Sequence, residues 1–520
     1  MDVEMLNQVK ATKMKMKRTN MLLTAALVVL AVAGLTACSG AEDEPGLTKS
    51  EPAAAPRTVT LTTMVTRDAE STRGTLLEDD NQLYKGFQDG DKVAVVYNQD
   101  GVGWRKVEGT LSGANGASAT LTAELENPSV NTKRIMLIYP ASLAKETVTV
   151  QSNNPTVDGC VDLDKLYTQQ DGALTTLASN FDLAAWAGDM TITAVPGSVS
   201  VASLPANLTL QNQLAICKIN IKDEYNNQRS VTKLLIDDCT RQYTVSSSSA
   251  KSQWYVAMHP IENKMVYFHA EGSSGSNKLV YYRRATYVTL AKNTYYVSNP
   301  LKMNTGKYER GWLLASDGYP YKTESDMEAF EYYGHDVSPA GLIVWGGAVN
   351  STNREKLGAP SGATGTYCLV MAPRDAYTQD GMNASRTPTY DGCVNKLASN
   401  DFDTEQMSGT VRPDGAAAWA MPTATAFKLA LDGDGSNLTT FSATDGTVVS
   451  CSVTALNELM QAASSSDAEA TLTAGYWTSS EAPAQGSNMR WVYETSGQFS
   501  PKHELTSGLY QLRPVFWYQP

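Results

Sequence analysis

The stretch Leu214-Ala215-Ile216-Cys217-Lys218-Ile219-Asn220-Ile221 decides the fold class, because from Cys217 onward apolar and polar side chains alternate. A period of two residues is typical of a β-strand with one buried face. Further strand patterns follow at residues 231–237, 254–260, 264–270 and 290–297. Residues 201–304 are therefore predicted to form a small sandwich of antiparallel strands.

A similar series of strand patterns precedes this one. Strand composition recurs at residues 58–65, 92–97, 118–125 and 134–139, and Asp89-Gly90-Asp91 has the composition of a turn. Strands spaced by about 8–12 residues, with Gly, Asp and Pro turns between them, indicate a sandwich. We predict a first β-sandwich at residues 57–200, so the fold class is mainly β.

The sequence changes character after about residue 304. Residues 424–431 have a short helix pattern that Thr423 or Pro422 can cap, and residues 452–463 have an amphipathic one. Strand patterns surround both segments. We therefore predict an α+β domain at residues 305–520.

The first residues have the pattern of an export signal. Four basic residues between positions 13 and 18 precede an apolar run, residues 21–34, which is shorter than the ~20 residues of a membrane span. Leu35-Thr36-Ala37-Cys38 follows and resembles the lipobox of bacterial lipoproteins. This resemblance implies a signal peptide at residues 1–37, lipidation (palmitate) at Cys38 and a tether at residues 38–56. The alternative is an ordinary secretory signal in which Cys38 is incidental.

Composition excludes some classes of partner and leaves the cysteines open. The chain has 520 residues and a formal net charge of -12, which argues against a nucleic-acid partner. Six cysteines remain besides Cys38, and an exported chain permits disulfides. Cys217–Cys239 and Cys368–Cys393 are possible pairs, and a buried free thiol is the alternative for Cys217.

The sequence contains no motif that indicates catalysis or metal binding. The four histidines lack metal-ligand spacing, so we expect no enzyme activity, no metal and no cofactor. Residues 432–437 resemble a calcium loop, but Asn437 and Ala443 replace its Gly and Glu, which favours a plain turn. Aromatic residues of the last third could form a stacking platform for glycans or belong to the core: Trp312, Trp345, Trp419, Trp477, Trp491 and Trp517.

Several motifs follow one another in a fixed order along the two predicted sandwiches. After the lipobox, a strand and a Thr-Arg pair comes Gly90-Asp91-Lys92-Val93-Ala94-Val95, and the second half has Tyr255 to Pro260 and Leu290 to Val297. This order resembles the fimbrillin family of Bacteroidetes pili (type V pilus). The resemblance implies two tandem transthyretin-like β-sandwiches. It also implies that an arginine-specific protease removes the first strand and that another pilin subunit supplies a replacement.

The cleavage site is expected in a polar loop at residues 67–74. Cleavage after Arg73, or failing that after Arg67, would release the lipidated leader together with the first strand. The localisation implied is the cell surface, reached as an outer-membrane lipoprotein precursor, and the final location is the fimbrium.

The last predicted domain has three short motifs, at residues 419–423, 476–481 and 513–515. They resemble the Trp-Arg-Leu-Pro-Thr, Tyr-Trp-Ser-Ser-x-Glu and Arg-Pro-Val motifs of the C-type-lectin-like modules in Bacteroidetes surface proteins, although Ala420-Met421 replaces Arg-Leu. The resemblance implies an adhesive module for a host or bacterial glycan or protein ligand, without the calcium-binding triplets of animal lectins. Because few residues follow this module to serve as a donor strand, a pilus tip is expected. The alternatives are a pilus anchor subunit and a surface glycan-binding lipoprotein that does not polymerise.

Overall fold

The computed structural model describes most of the chain after residue 57. The described residues are 58–67, 77–79, 82–84, 86–193, 201–206, 208–274, 277–328, 337–373, 390, 393–394, 397, 411–435, 438, 441, 449–463, 471–473, 475–482, 488–504 and 510–520.

Strands dominate the described residues, so the fold is mainly β. They are β1 (Thr58–Arg67), β2 (Leu77–Asp79), β3 (Gln82–Tyr84), β4 (Lys92–Gln99), β5 (Gly103–Asn115), β6 (Ser118–Glu126), β7 (Arg134–Tyr139), β8 (Ala184–Asp189), β9 (Thr191–Thr193), β10 (Val201–Ser203), β11 (Leu208–Asn212), β12 (Ala215–Asp223), β13 (Val231–Asp237), β14 (Gln242–Lys251), β15 (Gln253–Met258), β16 (Ile261–Ser274), β17 (Asn277–Leu290), β18 (Tyr295–Val297), β19 (Leu301–Gly306), β20 (Leu313–Ala315), β21 (Pro320–Tyr321), β22 (Pro339–Val349), β23 (Gly365–Met371), β24 (Val449–Ser450), β25 (Gly475–Glu481), β26 (Met489–Tyr493), β27 (Gln498–His503), β28 (Tyr510–Gln511) and β29 (Val515–Tyr518).

Helices are short and lie between the strands. They are α1 (Val157–Cys160), α2 (Leu163–Thr168), α3 (Leu174–Asn180), α4 (Glu324–Glu328), α5 (Arg354–Leu357), α6 (Ala424–Asp432) and α7 (Thr454–Ala463), with a 3₁₀ turn at Ala141–Leu143. Within the described residues, none of the helices is both long and apolar enough to cross a membrane.

The first sheet closes on itself. Its order is β11-β8-β7-β4-β5-β6-β1-β10-β9, and β11 also pairs with β1. Apolar side chains that alternate along these strands fill the enclosed core, among them Leu61, Val95 and Leu121. The predicted boundary at residue 200 differs from the structure, because β10 and β11 still belong to the first sheet. Their local alternation is that of any strand and does not specify which sheet they join.

A helical insert connects the first sheet to the second. Helices α1 to α3 lie between β7 and β8 in the chain, and their apolar side chains share one core with the outer face of β4 and β7 and with the second sheet. Gln170, just after α2, is buried and hydrogen-bonds both backbone groups of Ala257 in β15, at 2.8 and 2.9 Å. The two sheets and the insert therefore pack as one unit.

The second sheet has the order β14-β13-β16-β17-β19-β12-β15, with β18 also paired to β12. Residues 215–221, whose alternation predicted a strand, lie in β12 between β15 and β19, and Cys217 is buried. All six cysteines within the described residues are free thiols, so the two possible disulfide pairs do not form in this part of the chain, and Cys217 is a buried free thiol.

The C-terminal module is defined as residues 307–520, and its described residues form two five-stranded sheets and both predicted helices. The sheets have the orders β21-β20-β22-β23-β29 and β24-β27-β26-β25-β28. Thr423 caps α6 by accepting a hydrogen bond from Ala426 N, and Gly433 ends this helix at a φ of 74°. In α7, Leu456 and Met460 are buried in the module's core, as the amphipathic pattern indicates.

Polar and aromatic contacts join the second sheet to the C-terminal module. Glu271 in β16 accepts hydrogen bonds from Tyr319 Oη at 2.6 Å and from Lys233 Nζ at 2.9 Å. The His269 ring stacks on Tyr319 at 4.2 Å, and its Nε2 lies 2.8 Å from Tyr321 Oη. These contacts make the junction a packed interface.

The junction is expected to lose stability in acid through Glu271. Burial alone would raise the pKa of Glu271, but the hydrogen bonds from Tyr319 and Lys233 and the charge of Lys278 hold it at about 2, below its ordinary 4.5. A depressed folded-state pKa stabilises the fold above pH ~4.5 and loses that contribution as pH falls toward 2. We expect the thermal midpoint of the natural chain to fall between pH 5 and pH 2.5 more steeply than that of Glu271→Gln. Parallel pH profiles would contradict this assignment.

Candidate functional site

The first strand, β1, occupies an interior position of the first sheet. It pairs antiparallel with β6 from Thr58↔Glu126 to Thr66↔Ser118. Its other edge pairs in parallel with β11 at Val65↔Leu208 and with β10 at Leu61↔Ala202. Backbone hydrogen bonds therefore hold β1 from both sides, although it is the first strand of the described chain.

The two faces of β1 differ in burial, because one face packs on the core and the other faces solvent. Val59, Leu61 and Val65 are fully buried and Thr63 nearly so, whereas Met64 on the opposite face is 58% exposed. Side chains at every second position thus point into the enclosed core. We call the space that these inward side chains fill, between β6 and β10/β11, the β1 slot.

A buried arginine ends the inward row. Arg67 Nη2 lies 2.7 Å from Asp182 Oδ2 and donates a hydrogen bond to Asn212 Oδ1 at 2.7 Å. The guanidinium carbon also lies 4.9 Å from the ring centre of Tyr139 and 5.6 Å from that of Phe87. Both side chains of the ion pair are buried, at 1% and 4% exposure for Arg67 and Asp182. We call Asp182, Asn212, Phe87 and Tyr139 the arginine pocket.

The pocket is connected to the Gly-Asp motif of the first sheet and to the turn that follows β17 in the second sheet. Tyr139 donates its hydroxyl to Asp91 Oδ2 at 2.8 Å, and burial together with the Asp91 charge raises the pKa of Tyr139, which keeps the phenol protonated. Asn212 donates from Nδ2 to Asn293 Oδ1 at 2.8 Å. These bonds fix the orientation of two pocket walls.

The predicted site residues fall in different places. Arg67 was expected in an exposed polar loop, but it is the last residue of β1, and its burial in an ion pair corrects that expectation. The residues that follow Arg67 are polar, so the sequence pattern placed Arg67 in the same exposed loop. Cys38 and Arg73 lie outside the described residues, so lipidation and cleavage remain predictions. Asp182 and Asn212 were missed, because a separation of 115 and 145 residues from Arg67 leaves no spacing signal.

His259 and the described part of the acidic turn, residues 432–435, have structural environments. Burial lowers the pKa of His259 to about 4, so this side chain is neutral at pH 7. In the acidic turn, Gly433 terminates α6 and Asp434 N donates to Asp432 Oδ1 at 3.1 Å. Among the described residues, no group of three or more His, Cys, Asp or Glu side chains could hold a metal ion.

The tryptophans of the C-terminal module belong to its interior. Trp477 and Trp491 are almost fully buried, and Trp345 packs against Trp517 with the ring centres 5.9 Å apart. Trp312 and Trp419 are partly buried and pack against core residues. The core alternative therefore holds for the four buried rings, Trp345, Trp477, Trp491 and Trp517, whereas Trp312 and Trp419 keep part of their surface exposed.

Comparisons with known proteins give low similarity. No family model matches the chain, and no curated protein matches it. Among solved structures, it is similar to a candidate cell adhesion protein from Parabacteroides distasonis ATCC 8503, with 8% identity, a TM-score of 0.25 and coverage of 48% of this chain and 95% of that one. It is also similar to the C-terminally truncated tip fimbrial protein Mfa3 from Porphyromonas gingivalis, with 10% identity, a TM-score of 0.24 and coverage of 48% and 97%. The shaft pilin SpaA from Lactobacillus rhamnosus GG follows, with 8% identity, a TM-score of 0.20 and coverage of 48% and 97%. These scores are low, so the function of this chain has to be inferred from its own residues.

Proposed function

We propose that this chain is a surface pilus subunit that accepts a strand from another subunit after proteolysis removes β1. The observation that carries the proposal is the position of β1 between β6 and β10/β11. Removing it would expose two rows of backbone N–H and C=O groups beside a row of apolar cavities. An extended peptide with alternating apolar side chains fits such a slot, because main-chain hydrogen bonds bind it and the cavities select its side chains.

Most of the first sheet supports this proposal, because six of its strands stay paired without β1. The path β11-β8-β7-β4-β5-β6 remains continuous, and the strands that join the sheet through β1 are β10 and β9. The outer face of β4 and β7 is also anchored in the core shared with the helical insert and the second sheet. A sheet that opens at one strand can therefore keep its remaining pairs until a donor arrives.

Processing is predicted to depend on Arg73 rather than Arg67. The Arg67 side chain is held in the arginine pocket, and a protease must extract a side chain from such a site before it can cleave beside it. We expect Arg73→Gln to keep the surface protein at its precursor mass and the matched variant Arg67→Gln to be processed, as measured by immunoblot. Processing of Arg73→Gln together with loss of processing in Arg67→Gln would reverse the assignment.

Lipidation at Cys38 is the predicted route to the outer membrane. Several acyl chains, each buried CH₂ contributing ~0.8 kcal/mol, give a durable anchor during export. Cys38→Ala should abolish fatty-acid labelling and leave an unprocessed precursor, whereas Cys160→Ala serves as a cysteine control that keeps the label. Normal labelling of Cys38→Ala would refute the lipobox.

The tip of the pilus is the proposed position, with the C-terminal module as a lectin-like adhesive domain for a surface glycan or protein. In this module β29 pairs with β23, and Val515 also exchanges backbone hydrogen bonds with Ala420 at 2.8 and 2.9 Å. This strand is committed to its own module and is not a spare donor. Immunogold against the module should label pilus ends. Labelling along the shaft would contradict the tip position, and labelling at the cell-proximal base would favour the anchor alternative.

A further inference from the structure

We propose that the strand which fills the β1 slot must carry a basic residue, preferably arginine, for the arginine pocket. This inference rests on the proposed function and specifies the partner. The partner segment has alternating inward side chains that are apolar or small, like Val59, Leu61, Thr63 and Val65, and a cation at the next inward position. A strand that is only apolar fits the slot but not the pocket.

Electrostatics gives the first reason. When β1 leaves, Asp182 loses the guanidinium that lies 2.7 Å from its Oδ2. An aqueous gap hydrates the carboxylate, but a neutral donor strand would bury it again without that counter-charge. Burying a charge without its partner is strongly unfavourable. The cost falls only on strands that lack a cation at this position, so the pocket discriminates among donors.

The shape of the pocket favours arginine over lysine. Arg67 Nη2 contacts both Asp182 Oδ2 and Asn212 Oδ1, at 2.7 Å each. The guanidinium group also lies against the rings of Tyr139 and Phe87. The planar, weakly hydrated guanidinium of arginine can contact an anion, an amide oxygen and two rings at the same time. The ammonium of lysine is a compact and strongly hydrated charge.

The pocket also sets the register of the incoming strand. A slip of one residue turns every inward side chain to the outer face, and a slip of two keeps the faces but moves the cation out of the pocket. The apolar row alone tolerates a slip of two, because Val59, Leu61 and Val65 are similar in character. One charged position at the end of the row therefore fixes a single alignment.

The test uses the full chain, which an arginine-specific protease cuts between residues 68 and 76. Fluorescent peptides then compete with β1 for the β1 slot, and the affinity of each peptide is measured. The peptide of residues 58–67 is compared with peptides carrying Arg67→Lys, Arg67→Leu and, as an outward-facing control, Met64→Lys. We expect Arg67→Leu to bind about 100-fold more weakly than the natural peptide, Arg67→Lys to be intermediate, and Met64→Lys to change binding by less than about threefold. In protein carrying Asp182→Asn, the difference between the natural and the Arg67→Leu peptides should shrink to less than about tenfold.

The outcomes separate this inference from the proposed function. Equal binding of the natural peptide and the Arg67→Leu peptide overturns the inference and leaves strand acceptance intact. If Asp182→Asn protein still prefers the natural peptide over the Arg67→Leu peptide by the same factor, the inference is also overturned. Asp182 would then not be the group that binds the cation. Failure of every peptide, including the natural one, to enter the nicked protein overturns strand acceptance itself.

Discussion

Arg67→Leu is expected to lower the free energy of unfolding of the unprocessed chain by about 3–5 kcal/mol, because it leaves the buried carboxylate of Asp182 without its counter-charge. The double variant Arg67→Leu/Asp182→Leu removes both charges and should recover most of that loss. Chemical denaturation of the two single variants and the double variant measures the coupling.

A surface ion pair in the same sheet provides the matched control. Arg134 and Asp189 lie 3.5 Å apart, with side chains 39% and 74% exposed. Arg134→Leu should therefore change stability by no more than about 1 kcal/mol. Equal losses of unfolding free energy in Arg67→Leu and Arg134→Leu would contradict a stabilising buried ion pair between Arg67 and Asp182.

Gly172→Ala is expected to destabilise the protein by disrupting the packing between the helical insert and the second sheet. Gly172 has a φ of +71°, and a Cβ at this position would lie 2.2 Å from Cε3 of the fully buried Trp254. The left-handed conformation costs about 1–2 kcal/mol for a non-glycine residue, and overpacking adds about 1–3 kcal/mol. The thermal midpoint should drop accordingly.

The control for Gly172→Ala is Gly101→Ala. Gly101 has a similar φ of +77°, but nothing lies within 4 Å of its would-be Cβ. It should show only the backbone cost, so the difference between the two variants measures the packing of Trp254 against the insert. Similar losses in both would mean that the insert yields to a methyl group, and the two sheets would then be less tightly joined than the shared core indicates.

The strands of the first two sheets were predictable because each carries its own local signal. The alternation at residues 58–65 and 118–125 anticipated β1 and β6, and Thr423 followed by an apolar pattern anticipated α6. Local alternation does not state which strand pairs with which, so the closure of the sheet through β1 and β11 could not be predicted. Helices α1 to α3, of 4, 6 and 7 residues, were missed because so few residues cannot display a helical period.

The candidate site was predictable only in part. A first strand followed by arginines suggested a removable segment, but the environment of Arg67 depends on Asp182 and Asn212, which come from distant parts of the chain. Burial is a tertiary property, and the same sequence pattern suits either a buried or an exposed arginine. The tryptophans of the C-terminal module show the same limit, because ring composition alone does not separate a core from a binding platform.

The N-terminus of the chain in assembled surface pili, determined by mass spectrometry, tests the central claim most directly. Removal of β1 from the slot requires a cut in the segment that follows it. Strand acceptance at the β1 slot predicts a mature protein that begins at Gly74, without lipid and without residues 58–67. A surface protein that begins at lipidated Cys38 and retains β1 would contradict strand acceptance.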